Sequence, residues 1–188
     1  MMQKITYTIR FFSYWHCGSG LSAGATLDEL VIKDKKRMPF IPGRTIKGLV
    51  REAAENYLRF SGKEELKTIL DTAFGLEAST ENNGNMGCMY FENAVLSEKE
   101  YLAIVNNNAQ DYLYEKLTST AIGKDGVAKD FSLRSIEVTV PCTLCGTIIN
   151  VPEQLRAVLV DSLGLIKRIG QKRNRGLGRC DVKEGGQQ

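Results

Sequence analysis

Residues 38–51, Met-Pro-Phe-Ile-Pro-Gly-Arg-Thr-Ile-Lys-Gly-Leu-Val-Arg, constrain this fold more than any other stretch. Pro39, Pro42 and Gly43 dictate a loop, and the apolar spacing behind them dictates a helix. Read as a helix from about Thr45, the segment stacks Ile46, Leu49, Val50, Ala53 and Tyr57 on one stripe. Arg44, Lys47, Gly48 and Arg51 fall on the opposite side at i, i+3, i+4 and i+7 spacing. One side of this helix must therefore be covered by a core. The other offers positive charge, free N–H groups and a glycine where another backbone can come close, a combination suited to a phosphate chain.

The chain around this helix alternates between β and α signals. Residues 3–15 are rich in β-formers and predict a long strand; 88–96 predict a second, and 133–141 and 144–151 two more. A helix follows Pro152, with Leu155, Val158, Leu159, Ser162, Leu163, Ile166 and Ile169 on its apolar face to about Gly170, and 177–183 close the chain as a last strand. Gly62 predicts the C-cap of the first helix, Ser97 with Glu100 a capping box, and 64–74 a shorter helix. The polar segment 77–87 predicts a loop and 185–188 a frayed tail. The order is β–α–β–β–α–β with insertions, an α+β, ferredoxin-like pattern related to RNA-recognition domains. The insertions are a loop at about 17–43, helical stretches at about 64–87 and 97–117, and a hairpin at about 118–133. With 188 residues, one cored domain over 1–188 is expected.

Charge adds a direction. The net charge is only +3, yet residues 1–51 hold nine Lys/Arg against three Asp/Glu, 52–130 hold seven against fourteen, and 131–188 hold nine against five. If the two ends fold together, they form one basic face. No apolar run reaches membrane-spanning length and no signal-peptide pattern opens the chain, so the expected location is the cytoplasm, with no membrane partner. The five cysteines are odd in number, which disfavours a disulfide framework; Cys142 and Cys145 have CxxC spacing but no second pair, and they read as strand thiols rather than zinc ligands.

The second basic motif is Gly170-Gln-Lys-Arg-Asn-Arg-Gly-Leu-Gly-Arg179, between the last helix and the last strand. Residues 162–180 carry six Lys/Arg and no acid. Glycine lets the backbone turn sharply near a ligand, and Lys172, Arg173, Arg175 and Arg179 can contact phosphates. The loop lacks the Lys-Ser/Thr of a phosphate-binding P-loop. The strands lack the aromatic code that reads bases, so recognition of a nucleic-acid backbone is the expectation.

Together, three stretches resemble the RAMP superfamily of CRISPR–Cas proteins. Residues 40–51 resemble the family's Pro-Gly-Ser/Thr-x-Lys-Gly helix start, 170–178 its glycine-rich loop, and 120–137 its thumb hairpin and following strand. The chain is most similar to the small backbone subunit of type III (Csm/Cmr-like) effector complexes. That resemblance implies a subunit that stacks with other copies of itself in a filament along a guide (CRISPR) RNA, beside other effector subunits and a target RNA. It implies guide contacts at Arg44, Lys47, Gly48, Arg51, Lys172, Arg173, Arg175, Gly176 and Gly178, and apolar thumb residues at Ile122 and Val127 suited to a splayed base pair.

The resemblance also places Asp28 where the family carries an aspartate needed to cut target RNA. A carboxylate there can recruit a divalent metal such as Mg2+ or help deprotonate a ribose 2′-hydroxyl. Glu29 is adjacent and chemically equivalent, whereas Asp34 sits among Lys33, Lys35 and Lys36 as a surface ion-pair residue. His16, the only histidine, reads as a structural or guide-contacting residue, with the acid/base of a guide-processing endoribonuclease as the alternative. Three activities stay open at this level: Asp-dependent target cleavage, RNA binding without cleavage, and His-dependent processing.

Overall fold

The computed structural model describes residues 2–24, 27–76 and 84–185. In chain order the elements are β1 (Met2–Phe11), α1 (Gly43–Ser61), α2 (Lys67–Phe74), β2 (Gly75–Leu76), β3 (Asn85–Met86), β4 (Tyr90–Phe91), α3 (Glu98–Asn106), β5 (Tyr114–Ser119), β6 (Arg134–Thr139), β7 (Thr143–Pro152), α4 (Glu153–Leu163) and β8 (Cys180–Glu184). Single-turn 3-10 segments lie at Glu64–Leu66, Gln110–Leu113 and Arg173–Arg175.

Alternation along β1 buries Ile5, Tyr7, Ile9 and Phe11 and leaves Lys4, Thr6 and Arg10 exposed. With one apolar face, the strand needs helices on that side and polar contacts on the other. β1 lies in the middle of an antiparallel sheet of order β4-β7-β1-β8, with Ile5 opposite Ile148 and Ile9 opposite Leu144 and Val182. α1 and α4 pack on each other, and α1 with β4 and α4 with β1 and β8 enclose the core. Ile46, Val50, Ala54 and Leu58 from α1 meet Leu155, Leu159 and Leu163 from α4 there. Burial of each large apolar side chain contributes about 1.5–3 kcal/mol. Stripped of insertions, the core is β1–α1–β4–β7–α4–β8, a ferredoxin-like βαββαβ arrangement as expected.

Several boundaries differ from the sequence expectation. β1 ends at Phe11 because the next residues pair elsewhere: Phe12 N–H donates to Arg179 O at 2.8 Å, and Trp15 exchanges hydrogen bonds with Thr139 of β6. Trp15 stacks on Phe11, with ring centroids 4.7 Å apart. The strand expected at 133–141 is β6, which pairs with β5 in a separate two-stranded ribbon, not in the main sheet. α4 ends at Leu163; Ile166 and Ile169 stay buried, but their segment pairs with the residues leading into β8. Ser97 caps α3, with Glu100 N–H donating to Ser97 Oγ at 3.3 Å, and the Glu100 carboxylate answers by accepting from the Ser97 hydroxyl at 2.6 Å instead of from its backbone N–H. Of the loop expected at 77–87, residues 77–83 lie outside the described residues, as do 186–188 of the expected tail.

α1 starts at Gly43, two residues earlier than the sequence indicates, because Pro42 O accepts from the N–H groups of Thr45 and Ile46. Gly43 N–H donates to Asn93 Oδ1 at 2.9 Å. A Cβ on Gly43 would lie 1.9 Å from Phe91 O, so only glycine seats the helix start on β4. Gly43→Ala is therefore expected to destabilise the protein by about 1–3 kcal/mol through overpacking against backbone. Urea unfolding measures this, and an unchanged midpoint and slope would refute the close-approach argument.

Candidate nucleic-acid interface

The exposed start of α1 faces the loop at 170–178 across a cavity of about 420 Å³ lined by His16, Cys17, Gly18, Arg44, Thr45, Gly48, Leu49, Glu52, Gly170, Gln171 and Arg173. Arg44, Gly48 and Glu52 recur every four residues, so one helical face presents them turn after turn. A Cβ on Gly48 would meet nothing within 4 Å, so the helix surface is open there. Arg44 and Arg173 are exposed, and their guanidinium groups have no hydrogen-bond or ion-pair partner among the described residues. Burial pushes the Cys17 thiol up, with the nearby Arg44 charge pulling partly the other way.

The loop owes its shape to backbone contacts. Gly178, at φ 72°, packs so closely that a Cβ would lie 1.9 Å from Ile169 O, and its N–H donates to Tyr14 O at 2.7 Å. Gln171 N–H donates to His16 O at 2.8 Å. Arg173–Arg175 form the single 3-10 turn, and Arg175 and Gly176 are exposed at its end. The two basic motifs thus meet, as the sequence anticipates.

Not every anticipated residue reaches the groove. Arg51 is bound within the protein: its guanidinium donates to Glu55 Oε1 at 3.0 Å, Asp71 Oδ1 at 3.1 Å and Gly75 O at 3.1 Å. Lys47 is half-buried on the side of α1 turned from the groove lining. Lys172 is held to Glu29 Oε1 at 2.8 Å. Conversely, Thr45, Gln171 and Glu52 line the groove without having been singled out by sequence. Glu52 had a legible signal, since it continues the Arg44–Gly48 spacing by one turn.

Asp28 lies on an exposed loop clamped to β6. Its N–H donates to Ser135 O at 2.8 Å, and Ser135 N–H donates back to Asp28 Oδ2 at 2.7 Å. Asp28 Oδ1 has no partner among the described residues. Glu29 is less available, because one oxygen pairs with Lys172 and the other is buried 3.6 Å from His16 Nε2. No group of three or more His, Cys, Asp or Glu side chains converges among the described residues, so no metal cage is preformed at Asp28.

His16 is fully buried. Its Nδ1 donates to Glu137 O at 2.6 Å, a role that fixes the proton on that nitrogen. A ring without exposure does not offer its nitrogens to a bound strand, which fits the structural reading of His16 over the acid/base alternative.

Beyond Arg134 and Ser119 the β5–β6 ribbon continues into a hairpin tip bridged between Ile122 and Ala128. Ile122 and Val127 are 60% and 62% exposed there, too open for a hairpin packing on its own core. Cys142 and Cys145 are both free thiols, half-buried.

The family model of the RAMP superfamily matches residues 8–181. No curated protein matches the sequence. Among solved structures, a chain from a cryo-EM structure of the type III-B Cmr-beta complex bound to cognate target RNA superposes with a TM-score of 0.71 at 11% identity, covering 97% of both chains. A chain from the apo state of type III-B Cmr-beta gives a TM-score of 0.63 at 13% identity, covering 96% of both. At these identities the likeness establishes a shared fold.

Burial pushes the Cys142 and Cys180 thiols up to about 12, far above the range in which thiolates bind zinc or react. At pH 8 both are protonated, and thiolate appears only as the pH rises towards 12 or the fold opens. With a thiol-alkylating reagent at pH 8, exposed Cys88 is expected to label in the native protein, and Cys142 and Cys180 only after denaturant. Mass mapping reads the order; native labelling of Cys142 as fast as Cys88 would contradict it.

Proposed function

The chain belongs to the RAMP superfamily, and on that premise we propose that it is a guide-RNA-binding backbone subunit of a type III-like CRISPR effector complex acting in the cytoplasm. In this reading it stacks with other copies of itself and with other effector subunits along the guide, and it cuts target RNA at Asp28. The observation that carries the reading is the groove between α1 and the glycine-rich loop, where Arg44 and Arg173 stand exposed and without an ion pair among the described residues beside the open surface at Gly48. The Cmr-beta complex of similar fold is itself bound to target RNA, which supports RNA as the ligand. Among the described residues no helix is long and apolar enough to cross a membrane.

The guide backbone lies against α1, with phosphates at Arg44 and Arg173 and further charge from Arg175. Lys172 joins them by exchanging Glu29 for a phosphate. The hairpin tip brings Ile122 and Val127 between bases, where apolar side chains replace lost stacking. Asp28, one oxygen anchored by Ser135 and the other open, takes the proton of a target 2′-hydroxyl as the hydroxyl oxygen attacks the adjacent phosphate. A 2′,3′-cyclic phosphate closes while the P–O5′ bond breaks, and the 5′-oxygen leaves with a proton from water. With no cage of His, Cys, Asp or Glu side chains at Asp28 among the described residues, an ion such as Mg2+ would be held by this carboxylate together with groups of the bound RNA and water. The same Asp28–Ser135 clamp supports a second reading, in which Asp28 only braces the loop and the subunit binds without cutting.

Replacing Arg44 and Arg173 together by Ala is expected to weaken RNA binding and to lower the slope of log K against log salt by about one to two. Fluorescence polarisation at several salt concentrations checks this, and an unchanged affinity would remove the groove as the binding surface. In the assembled complex, Asp28→Asn keeps an oxygen for Ser135 but removes the charge. It is expected to slow target cleavage by about 100-fold or more while leaving guide binding intact. Normal cleavage by this variant would support the binding-only reading.

A further inference from the structure

We propose that Glu52 is the residue by which this groove tells RNA from DNA, its carboxylate accepting a hydrogen bond from a ribose 2′-hydroxyl. The inference rests on the groove being the strand-binding surface. Glu52 is exposed on the same face of α1 as Arg44 and Gly48, and it lines both the 420 Å³ groove and an adjoining cavity of about 280 Å³. Leu49 and Arg173 also line both, so the two cavities form one continuous track along the helix. Arg168 adds positive charge to the second cavity, while Lys167 there is paired with Asp181 at 3.0 Å.

A carboxylate in such a track demands an account. It repels phosphate, and in a groove built only to hold a polyanion it weakens binding. It is not there to neutralise the arginines: Glu52 has no ion pair or hydrogen bond among the described residues, whereas Glu55, three residues on, pairs with Arg51 at 3.0 Å. Nor does it hold the fold together, since it is exposed and unpartnered. What an ionised carboxylate does is accept hydrogen bonds, and only accept. The donor on an RNA backbone is the 2′-hydroxyl, which DNA lacks.

The spacing fits. Arg44, Gly48, Glu52 and Asn56 follow one another at single turns, a ladder about 18 Å long that presents a cation, an open surface, an anion and an amide. Gly48 lets a sugar-phosphate chain lie against the helix between the phosphate-holding arginine and the hydroxyl-accepting glutamate. This recognition is independent of base identity, as a track along a guide of arbitrary sequence requires.

The test compares the full-length protein, freed of co-purified nucleic acid, on single-stranded RNA, DNA and 2′-O-methyl RNA of one unstructured sequence by fluorescence polarisation. Wild type is expected to prefer RNA over the other two. Glu52→Ala should lose about tenfold of that preference, from weaker RNA binding together with stronger DNA binding as the negative charge disappears. Glu52→Gln, which keeps an acceptor, should retain most of the preference. Alanine at an exposed helical position favours the helix, so these variants fold. An unchanged RNA-to-DNA ratio in Glu52→Ala overturns the assignment. So does a change in self-association by sedimentation without a change in that ratio, which would give Glu52 to a contact between copies. The Arg44/Arg173 variant separates the two ideas. If it leaves RNA and DNA binding unaltered, the groove itself is wrong; if it weakens both while Glu52→Ala leaves their ratio alone, only the role of Glu52 fails.

Discussion

The hydrogen bonds around His16 tie together the glycine-rich loop, the Asp28 segment and the strand that supports the hairpin. Its carbonyl accepts from Gln171 in the glycine-rich loop, and its ring donates to Glu137 in the strand that supports the hairpin. Gly170 packs onto the same carbonyl so tightly that a Cβ would lie 2.4 Å from it. Glu29, beside the ring, reaches across to Lys172. Bonds of this kind are strong in a low-dielectric interior, and leaving a buried donor or acceptor unmet costs about 1–3 kcal/mol. The loop, the Asp28 segment and the hairpin strand therefore share one anchor and cannot shift independently without breaking it.

That shared anchor has a functional consequence. Asp28 is fixed to β6 by reciprocal hydrogen bonds with Ser135, and β6 runs on into the hairpin tip. Val31 N–H and Lys33 Nζ both donate to the Glu137 carboxylate, stapling the following residues to the same strand. A carboxylate so tied keeps a constant offset from the apolar tip. The tip keeps Ile122, Val127, Phe131 and Leu133 exposed, an apolar display that a soluble hairpin does not need for its own stability.

Much of the core was legible because local rules govern it. The 3.6-residue spacing gave the buried stripe of α1, glycine gave its C-cap at Gly62 with φ 68°, and Ser97 gave the start of α3. What sequence reading missed depended on partners far along the chain. Arg51 looked like a free cation, but Asp71 lies one loop away and claims it. Lys172 is occupied by Glu29, 143 residues earlier. For His16 the sequence left a catalytic alternative open, and only burial in the fold removes it. β1 was read too long because Phe12, Tyr14 and Trp15 carry β-forming side chains while pairing with other segments.

The sequence by itself determined the βαββαβ order, the glycine at the head of α1 and the two basic motifs, since spacing, steric allowance and side-chain charge are properties of short stretches. Only the tertiary structure decided which of those charges face the groove. Charge pairing depends on distance in space, and folding brought Glu29 and Asp71 to Lys172 and Arg51 while leaving Arg44, Arg173 and Glu52 open.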